Sequence, residues 1–423
     1  MNSSDAGQAP ESAAMGLLNA AAVRERAHEM LQIGLANGLE HWRVDLDRLP
    51  TTAAYVAGVI RDQYPSLAVP FHARWRHFAV DGVDLWEPVA EARAWQDAAS
   101  RARTEFDLAI VSVLLDAGAG PGWRYLDERT GRTLTRSEGL AIASLRMFQA
   151  GAFSVTEDDP WRVDAVALTF LTADDLARGF QVSDKNPLVG LEGRAALLRR
   201  LGQACLAEPD LFALEDEPRP GGLFDAMIDR ADEADRLAAP VILQVLLQAL
   251  GPIWRDRLTL DDVDLGDCWR HSAIKRDGAT DGLVPIHKLS QWLSYSLVEP
   301  LQTAGVEVVD LDGLTGLAEY RNGGLFIDMG VLTLKDPADM GRAWPVDHPL
   351  VVGWRAMTVA LLDRIAPLVR AELGVTAEAM PLASVLEGGT WAAGRRIAAE
   401  RRPDTNSGGG GPPLTIISDG TVF

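Results

Sequence analysis

The sequence contains few of the residues that bind metals or form disulfides. Its two cysteines, Cys205 and Cys268, are far apart and have no CxxC spacing, and its seven histidines include no HxH or HxxxH pair. A disulfide framework needs more cysteines, and a zinc site needs ligands at closer spacing. We therefore predict a protein with no bound metal and no cofactor.

No apolar run in the sequence approaches the length of a membrane-spanning helix, which needs about 20 residues. The first residues also lack the basic-then-apolar order of a signal peptide. A cytoplasmic location without membrane contact is therefore expected.

Positive charge is scarce as well. Lys and Arg number 40 against 60 Asp and Glu, which gives a formal net charge of -20. Long nucleic acids are therefore not expected as partners, because binding to a phosphate backbone relies on many basic contacts. A small phosphorylated metabolite stays open, since a few local basic residues can hold one phosphate.

Three common enzyme motifs are also missing. The sequence has no GxGxxG after a predicted strand, no P-loop and no GxSxG. Hydride transfer, phosphoryl transfer and serine acyl chemistry therefore lack support.

The apolar residues that are present recur mostly at helical spacing. With 423 residues, of which 47% are hydrophobic, the chain can bury a large core, and its patterning predicts a mainly α fold with a few short β-strands. A helix is expected over Phe224–Ala239, for example, and short strands over Val306–Leu311 and Leu325–Leu332.

Composition predicts four parts of the chain. Residues 1–14 are expected to be disordered, and residues 15–401 to form a single catalytic domain in one or two helical lobes. The Gly- and Pro-rich residues 402–413 are expected to form a flexible segment, and residues 414–423 a tail that docks or stays mobile.

The stretch Val284–Val331 places reactive side chains where a helical protein would normally place leucines. If Pro285 opens a helix, Lys288, Gln291 and Tyr295 recur on one helical face, with Trp292 beside them. Such a stripe can be a solvated face or the polar rim of an aromatic-lined pocket. The triplet Glu319–Arg321 then runs into the Gly323-Gly324 pair, where backbone can approach a ligand closely.

A second unusual tract is Pro70–Phe78, which has neither helical nor strand alternation. It contains Trp75, Arg76 and His77. These residues can form a loop held by surface salt bridges, or a clamp for an anion, because guanidinium groups match phosphate oxygens.

Four motifs carry a resemblance to a known family. RSEGLAIASLRMF from Arg136, NPLVGLEGR from Asn186, VPIHKLSQWLSYSLVEPL from Val284 and LTGLAEYRNGGLFIDMGVL from Leu314 resemble the uracil-catabolism protein 4 family, also described as domain of unknown function 1688. The resemblance spans nearly the whole chain. It implies a route of pyrimidine breakdown in which uracil becomes its nucleotide, the ring is opened, and a ribosylurea is cleaved to release urea.

A weaker resemblance concerns the chemical step. The order of LTADDLARGF from Leu171, PLVGLEGR from Pro187, a helix with Lys288 and a final acid-Tyr-Arg triplet is similar to the queuosine nucleotide N-glycosidase family. That family implies a helical, DNA-glycosylase-like core and a matching lysine at Lys288. Its triplet carries aspartate where this chain has Glu319. Both resemblances imply cleavage of a bond between ribose C1 and nitrogen.

These observations predict an N-ribosyl hydrolase that cleaves ribosylurea or ribosylurea 5-phosphate. A carboxylate beneath the sugar can stabilise the oxocarbenium ion and activate water, and Glu319 is the predicted group. Departure of the leaving group needs an acid, which remains open between Asp328, Tyr295 and His287. Predicted substrate-binding residues are Lys288, Arg321 and Arg76 for a 5-phosphate, Trp75 or Trp292 for stacking, and His287, Gln291, Asn322 and His77.

Two other functions compete with this prediction. The acidic charge and the glycine-rich segment also suit a noncatalytic metabolite-binding or scaffold protein of the same pathway. Hydrolytic opening of the pyrimidine ring is a second enzymatic alternative, but the sequence lacks the metal-ligand set expected for it.

Overall fold

The computed structural model describes residues 12–214, 217–254, 256–403 and 410–417. The predicted mainly α architecture is confirmed, whereas the DNA-glycosylase-like core stays a prediction. The helices are α1 Ala20–Leu35, α2 Leu49–Gln63, α3 Glu87–Ala92, α4 Ala98–Leu114, α5 Arg136–Gln149, α6 Ala165–Phe170, α7 Ala173–Gly179, α8 Leu191–Ala207, α9 Pro209–Phe212, α10 Leu223–Ile228, α11 Ala239–Leu250, α12 Lys288–Thr303, α13 Tyr320–Asp328, α14 Pro349–Leu373, α15 Leu382–Ser384 and α16 Ala392–Arg401. A π-helical segment, Val385–Trp391, connects α15 to α16.

The strands are two or three residues long and pair only in twos within the described residues. The antiparallel pairs are β1 Trp42–Val44 with β14 Leu332–Leu334, β2 Ala79–Val80 with β3 Val83–Asp84, β4 Tyr125–Asp127 with β5 Arg132–Leu134, β6 Ala213–Leu214 with β7 Glu217–Pro218, β9 Thr259–Leu260 with β10 Val263–Asp264, and β11 Cys268–Arg270 with β12 Leu283–Pro285. Two pairs are parallel, β8 Arg236–Ala238 with β13 Glu307–Val309 and β15 Ala343–Pro345 with β16 Thr415–Ile417.

The helices pack around one contiguous apolar core that runs from Ala14 to Leu414 in the sequence. The long helix α14 contacts α1 and α2, α12 contacts α4 and α11, and α13 contacts α16. Local signals fix several helix ends. Asp97 and Ser100 form a capping box at the start of α4, and Gly374 ends α14 in a left-handed conformation.

Two predicted elements are wrong. The segment expected to be a strand over Leu325–Leu332 is helix α13 as far as Asp328 and enters strand β14 only at Leu332, because the Glu319 carboxylate caps the first backbone amides of the helix and its apolar face is buried. The helix predicted over Phe224–Ala239 ends at Ile228, and the chain then turns into β8, which pairs with β13. Pro285 does not open α12 either, since it is the last residue of β12.

The Gly323-Gly324 pair lies inside α13 rather than in a ligand-binding turn. A Cβ atom at Gly323 would lie 2.8 Å from the ring of Trp354, and one at Gly324 would lie 3.1 Å from Pro413. Small residues are therefore needed here for close packing of α13 against α14 and against the C-terminal segment.

The described part of the C-terminal segment is docked on the rest of the protein. Leu414 is fully buried, and β16 pairs with β15. Arg321 donates to the carbonyl of Gly410 at 2.8 Å, and Arg402 donates to that of Gly411 at 2.9 Å. The predicted disorder of residues 1–14 falls mainly on residues 1–11, which lie outside the described chain, whereas Ala14 is buried.

No helix among the described residues is long and apolar enough to cross a membrane.

Candidate active site

A cavity of about 600 Å³ lies between the start of α5, the start of α12, the N-terminal cap of α13 and the C-terminal segment. Its lining includes three tryptophans, Trp123, Trp292 and Trp391. The loop 117–121 forms another side. The volume falls within the usual range for small-molecule sites, and aromatic lining with a few polar groups is their usual character.

Lys288 enters this cavity from the first turn of α12. Its backbone amide donates to Asp267 at 2.9 Å, and Asp267 is held by Arg355 through two hydrogen bonds of 2.8 Å. The Nζ atom lies 6.0 Å from the centre of the Trp292 ring and has no hydrogen bond or ion pair with any described residue. Burial lowers the pKa of Lys288, and the nearby Glu319 carboxylate opposes that shift.

Glu319 caps α13 and is only 8% exposed. Its Oε2 accepts from the amide of Arg321 at 2.7 Å, and its Oε1 accepts from the amide of Asn322. Burial raises the pKa of Glu319, while the two amides, Lys288 and His72 act in the opposite direction. The carboxylate is therefore fixed in position and lies in the field of two basic side chains.

Three carboxyl groups line the cavity, and they differ in their partners. Asp116 forms an ion pair with the buried Arg74 at 2.7 Å, and Glu138 forms one with Arg395 at 2.9 Å. In the described part of the chain, Glu319 has no ion pair and accepts hydrogen bonds from backbone amides only. Its charge is the least compensated of the three.

Cationic groups also line the cavity. Arg136, Arg321 and Arg395 all line the cavity. Burial lowers the pKa of Arg136, and the charges of Arg321 and Arg395 add to that shift. An anion bound among these guanidinium groups would relieve their mutual repulsion, although the protein as a whole is acidic.

The cavity brings together five of the residues that the sequence predicts for the site. These are Lys288, Trp292, Glu319, Arg321 and His77. The predicted ligand-binding helix and the predicted chemical triplet therefore face the same space.

Three predicted residues support the cavity from behind instead of lining it. Gln291 hydrogen-bonds Thr315 through both ends of its amide, and Tyr295 donates to the Thr315 carbonyl at 3.0 Å. Burial raises the pKa of Tyr295, so its hydroxyl stays protonated in this packing. Asn322 donates to the Leu317 carbonyl at 3.1 Å. These bonds fix the backbone that leads to Glu319.

Four more predicted residues lie away from the cavity. Trp75 donates to the Ser296 carbonyl at 2.7 Å, Arg76 pairs with Glu299 at 2.6 Å, and His287 bonds the Leu17 carbonyl at 3.0 Å. Asp328 forms a fork with Arg402, with both distances 2.6 Å. Tyr295, His287 and Asp328, the candidate acids, therefore do not line the cavity.

The NPLVGLEGR motif supports one side of the cavity through contacts with the loop that lines it. Arg194 is fully buried and donates to the carbonyls of Leu115 at 3.0 Å and Ala117 at 2.7 Å. The amide of Val189 donates to the carbonyl of Ala119 at 3.2 Å. The motif thereby holds the loop 117–121 in place.

Comparison with known proteins identifies the family. The sequence model of the family described as "Protein of unknown function (DUF1688)" matches residues 16–423. The chain belongs to the DUF1688 family. It is 38% identical to Protein urg3 of Schizosaccharomyces pombe over 415 residues, which cover 96% of this chain and 98% of that protein. It is also 38% identical to Uracil catabolism protein 4 of Lachancea kluyveri over 413 residues, which cover 90% and 92% of the two chains.

Several cavity residues of this DUF1688 protein are absent from the sequence-based prediction. His72 lies in the unusual tract Pro70–Phe78, and Glu138 lies in the RSEGL motif, so both carried a signal. Trp391 and Arg395 carried none, because they belong to a C-terminal segment that reads as an ordinary helix. Among the described residues, no group of three His, Cys, Asp or Glu side chains is arranged to hold a metal ion.

Proposed function

We propose that this protein acts in uracil catabolism as an N-ribosyl hydrolase that cleaves ribosylurea or ribosylurea 5-phosphate to urea and ribose or ribose phosphate. The name of the Lachancea kluyveri relative, Uracil catabolism protein 4, supports a role in this pathway. The observation that carries the reaction is the buried Glu319 carboxylate, which lines an aromatic cavity, has no ion pair in the described chain, and lies within the field of Lys288.

The chemistry of the reaction matches this arrangement. Cleavage of an N-ribosidic bond develops positive charge on C1 and the ring oxygen of the ribose. A carboxylate whose oxygens are held by backbone amides cannot rotate away, so Glu319 can stabilise that charge and accept a proton from the attacking water. In this role Glu319 must be ionised.

Burial of Glu319 predicts that the activity falls on the acid side of the pH profile. Because the pKa of Glu319 is raised above its usual 4.5, the ionised fraction falls with decreasing pH before that of an exposed glutamate would. We expect kcat/KM of the wild-type protein to fall on the acid side with an apparent pKa above 4.5, and we expect this limb to be absent from any residual activity of Glu319→Gln.

The cations of the cavity support an anionic substrate. Lys288 and Arg321 are the residues proposed to hold a 5-phosphate, and Arg136 and Arg395 add positive potential to the same space. Binding energy from a phosphate that does not react can position the sugar over Glu319. Trp292 and Trp391 offer flat apolar surfaces to the remainder of the substrate.

The test is incubation of the purified protein with ribosylurea 5-phosphate, ribosylurea and uridine monophosphate, with urea and uracil both measured. Release of urea from one or both ribosylureas is the expected result. Glu319→Gln should reduce kcat by at least about 10²-fold while substrate binding, measured by calorimetry, changes little. Lys288→Met should raise KM for the phosphorylated substrate only.

A matched control separates chemistry from stability. Asp328→Asn alters a carboxyl group at the last residue of α13 that lies outside the cavity, so its turnover per folded molecule should equal that of the wild type. Turnover by Glu319→Gln at the wild-type rate would remove Glu319 from the mechanism. Binding of ribosylurea without any product from the wild-type protein would favour a noncatalytic metabolite-binding protein.

A further inference from the structure

A histidine and a glutamate form a short hydrogen bond at the edge of the cavity. His72 Nδ1 lies 2.6 Å from Glu387 Oε2, and His72 is only 4% exposed. The His72 backbone amide donates to the Ala383 carbonyl at 3.0 Å. The ring is therefore fixed from two sides, by its backbone and by the carboxylate.

The second ring nitrogen of His72, Nε2, is available to a ligand in the cavity. His72 lines the cavity, and its Nε2 has no hydrogen bond to any described residue and is not among the buried unpaired atoms. The ring lies between two tryptophans, with its centroid 5.6 Å from that of Trp391 and 6.1 Å from that of Trp292. A carboxylate on Nδ1 holds the imidazole in the orientation that presents Nε2.

Glu387 is held by an uncommon backbone conformation. It lies in the π-helical segment Val385–Trp391, which also carries Trp391. A Cβ atom at Gly388 would lie 2.8 Å from Val69, and one at Gly389 would lie 3.0 Å from Val56. The two glycines let the π segment approach these neighbours closely. Such π turns occur often at functional sites.

His77 does not offer the same arrangement. It also lines the cavity, but its Nδ1 is buried without a hydrogen-bond partner in the described chain, and no carboxylate orients the ring. Burial, together with the charge of Arg74, lowers the pKa of His77. A neutral, unoriented imidazole is a poor proton donor.

We propose that His72, oriented by Glu387, is the general acid that protonates the leaving nitrogen through its Nε2–H, in the cavity that Glu319 also lines. This inference rests on the proposed N-ribosyl hydrolase function. As the C1–N bond breaks, its electron pair stays on the urea nitrogen, which takes the proton of His72. Water adds to C1 and gives one proton to Glu319. Exchange of that proton with solvent and reprotonation of His72 restore the starting state, so the net reaction consumes one water.

The charges around His72 come from several elements. Glu387 lies on the π segment, Glu319 lies at the start of α13, and Lys288 lies at the start of α12. His77, whose ring centroid is 6.4 Å away, and Arg76, whose charge acts on Glu387, belong to the same tract as His72. The proposed acid therefore lies close to two carboxylates, those of Glu387 and Glu319.

The test compares two leaving groups in His72→Gln. Urea is a poor leaving group and needs a proton, whereas 4-nitrophenolate leaves without one. On ribosylurea 5-phosphate, His72→Gln should reduce kcat by at least about 10²-fold, which is the typical contribution of a general acid. On 4-nitrophenyl riboside 5-phosphate, the same variant should lose much less activity. Glu387→Gln should show the same selective loss on ribosylurea 5-phosphate, because the Glu387 carboxylate orients the His72 ring.

A control uses a similar pair elsewhere on the protein. His28 Nε2 lies 2.8 Å from Asp363 Oδ2, and neither residue lines the cavity, so His28→Gln should leave both reactions and the pH profile unchanged. An equal loss on both substrates would overturn the role of His72 while leaving Glu319 in place. Wild-type protein that releases neither urea nor 4-nitrophenol would overturn both proposals.

Discussion

The buried ion pair between Asp267 and Arg355, behind Lys288, predicts how much stability is lost when one of its charges is removed. Asp267 and Arg355 are 6% and 1% exposed, and two hydrogen bonds of 2.8 Å join them. Asp267 also accepts from the Trp269 indole at 2.6 Å and from the Lys288 amide at 2.9 Å. One carboxylate thus connects α14, β11 and the first turn of α12.

Asp267→Asn keeps the shape of this side chain and removes its charge. The guanidinium of Arg355 would then be buried without a counter-ion, which typically costs about 3–5 kcal/mol when one partner of a buried pair is removed. Such a loss is a large part of the total stability of most domains, about 5–15 kcal/mol. The midpoint of urea unfolding should fall accordingly, with coincident transitions by fluorescence and circular dichroism.

A double variant separates the ion pair from general packing. Asp267→Asn combined with Arg355→Met removes both charges, so it should be more stable than Asp267→Asn alone. A single-variant loss below about 1 kcal/mol, or a double-variant loss equal to the sum of the two single losses, would refute this reasoning, because an uncompensated buried charge costs more.

The same pair predicts a pH dependence of stability. Although burial by itself would raise it, Arg355 and the other donors lower the pKa of Asp267 from 3.8 to about 2. The resulting stabilisation is present above pH 3.8 and is lost as the pH falls towards about 2. A shift of roughly two pKa units corresponds to about 2–3 kcal/mol. In the Asp267→Asn variant this contribution should be missing from acid unfolding curves.

Three further predictions concern residues outside the proposed chemistry. Asp328→Asn breaks the fork with Arg402, so the melting temperature should fall in calorimetry while turnover per folded molecule is kept. Gly323→Ala should be strongly destabilising in urea unfolding, because its Cβ would lie 2.8 Å from the Trp354 ring; unchanged stability would contradict the packing described here. Burial raises the pKa of the Cys268 thiol to about 12, so a thiol reagent at pH 8 should label it only after unfolding.

Helical periodicity predicted most of the fold, because apolar positions on one face of a helix report burial directly. It failed where that rule conflicts with local chemistry. The apolar run at Leu325–Leu332 suits a strand equally well, and only the cap made by Glu319 decides for a helix. The early end of α10 depends on pairing between β8 and β13, which are far apart in sequence.

Only part of the candidate site could be predicted from the sequence. Lys288 and Glu319 belong to one continuous stretch whose polar residues are out of place on an amphipathic helix, and both line the cavity. Gln291 and Tyr295 share that pattern, yet they are fully buried because Thr315 satisfies their polar atoms. Periodicity shows that a polar residue lies inside the protein, but it does not show whether a ligand or another residue is its partner.

The acid proposed for the leaving group lay beyond this kind of reasoning. His72 meets Glu387 across more than three hundred residues of sequence, and only the fold brings them together. The π conformation that holds Glu387 has no clear sequence signal apart from its two glycines.

The docked C-terminal segment changes how sequences of this family should be compared. Gly411, Pro412 and Ile416 line the cavity, although Gly411 ends a run of four glycines that low-complexity filters would mask and the other two follow it. An alignment trimmed at Arg402 would discard residues that line the cavity. A protein shortened at that position would have its cavity open on one side. Differences in substrate preference between relatives should therefore be sought in this segment as well as around the catalytic groups.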